Sequence, residues 1–178
     1  MTQDDDGSTV EALRRLIIRH RDPLRRAMVA GGVAVPMLFT AAALALDGWE
    51  ARRFLLLYVA PFFVAFFAWA WMRVGRMEDE RAGALAVDAL ASVLGAIRFA
   101  GLPVPFSGHV LFFTYAALTT RSRWFLLLVG ALVAQATWFK LVLWRDPRSW
   151  ALGIAAGAVL AAARILIHRL SPDPIITR

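Results

Sequence analysis

The stretch Gly101-Leu-Pro-Val-Pro-Phe-Ser-Gly-His109 runs directly into the apolar residues Val110 to Leu118, and its reading decides how the chain is organised. Pro103 and Pro105 lack the N–H that a helix interior needs, and they push the residues before them toward extended geometry. A helix therefore starts near Phe106 or Ser107. Ser107 is placed to N-cap it, and the bare amides around Gly108, with His109 beside them, read as an anion site at a positive helix end. The same residues also read as an ordinary capped helix carrying a histidine in the interfacial zone. Polar groups at membrane depth are costly and tend to mark sites, which favours the functional reading.

The surrounding chain makes that helix a membrane helix. Of 178 residues 60% are hydrophobic, with 7 Trp and 12 Phe, a load that a soluble domain of this length does not carry. The expected fold class is an all-α integral membrane protein, a six-helix transmembrane bundle with an N-terminal amphipathic helix. There is no cysteine, which excludes disulfides and thiolate chemistry. The net charge is +7, and 19 of the 20 basic residues are arginine. In a membrane protein that charge addresses topology and anionic headgroups, and no nucleic-acid partner is expected. Asp4-Asp5-Asp6 near the start does not read as a signal peptide.

Taken in order, residues 1–7 form a polar tail and Ser8-x-x-Glu11 a capping box. Over 8–22, Val10, Leu13, Leu16 and Ile17 share one face and Arg14, Arg15, Arg19 and Arg21 the other. That pattern fits a helix lying on an anionic membrane surface, or equally a surface helix packed on the protein. The transmembrane domain covers 23–170 and a tail 171–178. Its spans are expected at about Ala27–Leu46 with Pro36 as a kink, Phe54–Met72 with Pro61 as another, and Arg81–Ile97, which is short. Ser107–Thr119, Trp124–Leu143 and Ala151–Ile167 complete the six. Asp47 to Glu50 and Arg73 to Arg81 read as turns. With a cytoplasmic N-terminus, 14 basic residues fall inside and 6 outside, so both termini are expected in the cytoplasm, of a bacterial inner membrane.

This topology gathers Arg98, Ser107, Gly108, His109, Lys140, Arg145 and Asp146 at the outer face. Three cations, a helix N-terminus and a histidine suit the phosphate or pyrophosphate of an anionic phospholipid or polyprenyl phosphate. The bland alternative has Lys140, Arg145 and Arg148 snorkelling while Asp146, followed by Pro147, caps the last helix. Asp88 lies deep in an apolar segment and should face the bundle interior, paired with a cation or hydroxyl. It reads as a functional group and as a buried interhelical hydrogen bond alike. Arg164 is expected to snorkel to the inner interface. Gly153, Gly157 and Ala161 form a stripe for close helix packing. His20 and His168 fall at the opposite face from His109, so no metal site is assigned. No cofactor motif is present either.

With these residues in view, the layout resembles the type 2 phosphatidic acid phosphatase superfamily of six-span lipid phosphatases. In that family Pro-Ser-Gly-His opens the fourth span, and here Phe106-Ser107-Gly108-His109 matches three of the four positions. The resemblance implies that Ser107 and Gly108 bind phosphate and that His109 protonates the leaving group. Arg98 stands where the arginine of the family's Lys-x6-Arg-Pro motif would, but Ala91 replaces the lysine and Phe99 the proline. The family's Ser-Arg-x5-His-x3-Asp motif is matched only by Arg145 and Asp146 in the equivalent turn. No histidine lies between 110 and 167, so the family's nucleophile is missing. Three readings follow. One is an enzyme on lipid phosphates or diphosphates that uses Asp146 or water as nucleophile, with His109 as acid or base. Another is a non-catalytic protein that binds or transports such a lipid. The third is an unrelated lipid-modifying membrane enzyme.

Overall fold

Long runs of Ala, Leu, Val and Phe without water to satisfy backbone groups leave the helix as the available structure. Helices are the regular elements found among the described residues. The computed structural model describes residues 21–45, 47–76, 80, 82–97 and 103–170. The amphipathic helix expected over 8–22, all but its last two residues, lies outside this set, as do both tails and Arg98.

The elements are α1 (Arg21–Ala45), α2 (Trp49–Phe54), α3 (Ala60–Val74), α4 (Ala82–Ala96), α5 (Gly108–Thr119), α6 (Arg123–Trp138) and α7 (Pro147–Leu170). A π turn at Leu55–Val59 joins α2 to α3, and a second at Phe139–Leu143 extends α6. Among the described residues four stretches are long and apolar enough to cross a membrane: Asp22–Ala45, Arg52–Val74, Arg123–Leu143 and Pro147–Leu170. α4 and α5 are apolar but hold 15 and 12 residues. At about 1.5 Å per residue they reach roughly 22 and 18 Å, short of the ~30 Å of hydrocarbon.

By its packing the chain divides into two units: one runs to Ala82 and includes Leu127–Ala136, and the other is Gly83–Leu126 with Thr137 onward. In the first, α1 lies against α3 where Gly31 and Gly32 meet Phe67. A Cβ on Gly31 would stand 2.6 Å from the Phe67 ring, so the small residues permit the approach. Phe39 stacks on Phe63 at 5.2 Å, and Phe62, Ala65 and Trp69 fill the core. The other face of α1 exposes Val29, Val33, Met37, Leu38 and Leu44, side chains suited to lipid.

Proline acts differently at its two positions here. α1 continues through Pro36, whose carbonyl accepts from Thr40 Oγ1 at 2.9 Å. At Pro61 the ring removes the N–H that the Leu57 carbonyl would take in a regular helix. The π turn lies just before it, and Gln135 Nε2 donates to that Leu57 carbonyl. Arg73, expected at the edge of a surface turn, is instead in the last turn of α3 and buried. It pairs with Glu80 at 3.4 Å and lies 5.4 Å from the Trp69 ring. Arg25 stacks over Trp71 at 4.6 Å.

In the second unit α5 is the centre, buried from Gly108 to Phe113 and again at Tyr115 and Ala116. Glycines let its neighbours reach it. A Cβ on Gly108 would stand 2.3 Å from the Gly95 carbonyl of α4, one on Gly153 2.8 Å from the Ser107 carbonyl, and one on Gly157 2.5 Å from that of Leu111. The stripe of Gly153, Gly157 and Ala161 is thus the buried seam of α7 against α5.

Asp88 points into this unit, as its sequence context requires. Tyr115 donates its hydroxyl to Asp88 Oδ1, and Arg164 Nε lies 3.0 Å from the same oxygen. Both a hydroxyl and a cation are therefore its partners. The expectation for Arg164 is corrected: it does not snorkel but is 5% exposed and ion-paired, because a carboxylate on α4 lies within its reach.

Candidate functional site

Ser107 is the N-cap residue of α5 by backbone geometry, at φ −83° and ψ 111°, and is 1% exposed. Its side chain does not cap the helix, contrary to expectation. Its backbone carbonyl accepts from Leu111 N at 2.9 Å, and its N–H donates to the Ser149 carbonyl at 2.9 Å. That second bond ties the start of α5 to the first turn of α7. Gly108 packs directly on α4, since the Gly95 carbonyl stands where a side chain at 108 would go. His109 follows, 6% exposed, with its ring edge-on to Phe113 at 6.4 Å between centroids.

The second π turn carries Lys140, whose side chain is almost wholly buried. Its Nζ lies 3.3 Å from Asp146 Oδ2 and 5.0 Å from the centroid of the Trp144 ring. The turn closes through Trp144 N–H to the Phe139 carbonyl at 2.9 Å and Asp146 N–H to the Lys140 carbonyl at 2.8 Å. Between them Arg145 is exposed and adopts φ 48°, the left-handed region that usually takes glycine at a helix end.

Asp146 then opens α7 as its N-cap. Its Oδ1 accepts from Ser149 N–H at 3.1 Å, and its Oδ2 from the Ser149 hydroxyl. The Ser149 hydroxyl and amide, followed by Lys140, hold the Asp146 carboxyl down at about 2. A carboxylate so engaged is a weak base. Trp150 Nε1 fixes the next position by donating to Thr137 Oγ1 at 2.9 Å.

The second unit therefore brings Ser107, Gly108 and His109 to the end at which α7 begins, where Lys140, Arg145 and Asp146 also lie. No protein-family model, curated protein or solved structure matches the chain. Asp88 is not part of this group; it belongs to the cluster with Tyr115 and Arg164. Sequence reasoning passed over Ser149 and Tyr115. The Asp146-x-x-Ser149 spacing, a common capping pattern, was the available signal for the first. A hydroxyl inside an otherwise apolar run was the signal for the second.

Proposed function

We propose that this is an integral membrane protein with six membrane-embedded helices and both termini in the cytoplasm of a bacterial inner membrane. It acts on a phosphorylated lipid at the outer leaflet. The observation that carries the reading is the Ser107–Ser149 backbone bond. It sets two helix starts side by side, with His109 on one and the Lys140–Asp146 pair at the other. Two positive helix ends and a cation favour a phosphate or diphosphate headgroup. The 14 to 6 division of basic residues supports the orientation.

In this reading a headgroup phosphate takes Asp146's place on Lys140, with Arg145 entering from the exposed side. Ser107 and Gly108 line the headgroup, and Arg98 belongs to the same face by its sequence position. Water attacks phosphorus, the bond from phosphorus to the lipid oxygen breaks, and His109 gives its proton to that oxygen. Asp146 stays on the Ser149 amide and hydroxyl, holds the α7 start, and is not the nucleophile, since both its oxygens are engaged there and its basicity is low. The engagement of Lys140 with Asp146 also supports a second reading, a protein that binds such a lipid without cleaving it.

Native mass spectrometry of the purified protein tests the binding shared by both readings. Phosphatidic acid should be retained over diacylglycerol, and Lys140→Ala should erase the preference. Equal retention of the two lipids would sink both readings.

A further inference from the structure

α4 holds five large aliphatic residues, Leu85, Val87, Leu90, Val93 and Leu94, and one aspartate near its middle. On insertion scales a central aspartate offsets roughly six leucines, so Asp88 alone cancels the apolar content of the helix. α4 is also shorter than a bilayer core is thick. α7 stands differently. It is 24 residues long, and Arg164 lies six residues from its end, roughly 9 Å along the axis, within reach of an interface by snorkelling. An aspartate side chain is too short to do the same.

We infer that α4 depends on α7 for its place in the membrane: Arg164 is the charge partner that allows Asp88 to be embedded, so the last helix secures the fourth. The inference rests on the reading of the chain as a membrane protein and not on the lipid-phosphate reading. Its geometric basis is the 3.0 Å Arg164 Nε–Asp88 Oδ1 contact, with side chains 6% and 8% exposed. Tyr115 of α5, fully buried, donates to the same carboxylate oxygen, so three helices meet at one atom. The dependence is one-sided. Asp88 without Arg164 loses the buried cation that contacts it in an apolar helix, whereas Arg164 without Asp88 has an exit to the interface.

The chain contains no cysteine, so one introduced thiol reports a single position. Val93→Cys places it on the exposed face of α4, away from the pair. Full-length protein in membrane vesicles is treated with a membrane-impermeant maleimide. In the parent the thiol should be shielded by lipid and react slowly. Arg164→Gln should raise the labelling rate roughly tenfold or more. Asp88→Asn alone and the Asp88→Asn/Arg164→Gln pair should both label as slowly as the parent. Slow labelling in all four proteins would overturn the inference, as would a double variant that labels as fast as Arg164→Gln. Should Arg164→Gln fail to accumulate in the membrane, the double variant decides: recovery to the parent level supports the dependence, and continued loss contradicts it.

Discussion

The backbone N–H of Ser107 donates to the carbonyl of Ser149 at 2.9 Å, which fixes the start of α5 against the first turn of α7. The two helices then run in the same direction, with Gly153 over the Ser107 carbonyl and Gly157 over that of Leu111. So close an approach leaves no volume for a methyl group on either glycine. The backbone of His109 is thus positioned by this seam between α5 and α7.

Alanine at Gly108, Gly153 or Gly157 should each destabilise the protein by about 1–3 kcal/mol, because the new Cβ meets backbone that has no easy escape. Gly130 is the control: it lies in α6 with nothing within 4 Å of an added Cβ. Gly130→Ala should be neutral or stabilise by up to about 1 kcal/mol through helix propensity. Thermal unfolding in one detergent separates the two classes, and equal effects at Gly130 and Gly157 would refute the packing argument.

The capped carboxylate predicts an acid-sensitive helix start. Asp146 titrates at about 2 in the folded protein against an ordinary 3.8, because Ser149 and Lys140 favour the charged form. A folded-state value below the unfolded one gives stability that is complete above the unfolded value and is lost as pH falls through the folded one. The stability difference between the parent and Asp146→Asn should therefore be constant above about pH 5 and shrink between about pH 4 and pH 2. A difference that grew on acidification would show that the carboxylate is not held in this way.

Gln135 and Pro61 should be energetically coupled through the carbonyl of Leu57. Gln135→Leu removes the amide that donates to it and should cost about 1–3 kcal/mol. In a Pro61→Ala background residue 61 has an N–H to offer, and the cost of Gln135→Leu should fall toward zero. A double-mutant cycle of unfolding free energies measures this. Strict additivity of the two changes would contradict it.

Much of the architecture was legible because apolar length alone specifies it. The spans expected at Ala27–Leu46, Phe54–Met72, Trp124–Leu143 and Ala151–Ile167 match the four long helices closely, and the segment around Asp88 is short as expected, whereas the one that carries His109, expected as a full span, is a helix of 12 residues. Asp146 before Pro147 announced a helix start because that pattern is local. What could not be read depended on distant segments. Arg164 looked like an interfacial arginine until Asp88, 76 residues away, was placed beside it. Ser107 looked like a side-chain cap, whereas its backbone N–H is taken by Ser149. The pairing of Lys140 with Asp146 was not legible either, because it depends on the π turn that folds the two together.

The most direct measurement is phosphate release by the purified protein in detergent, offered phosphatidic acid and a polyprenyl diphosphate in turn. The account predicts release from at least one of them, abolished by His109→Ala and reduced but not abolished by Asp146→Asn. No release from either lipid by the parent protein would contradict the enzymatic claim. Release that survives His109→Ala would show that the chemistry belongs to other residues.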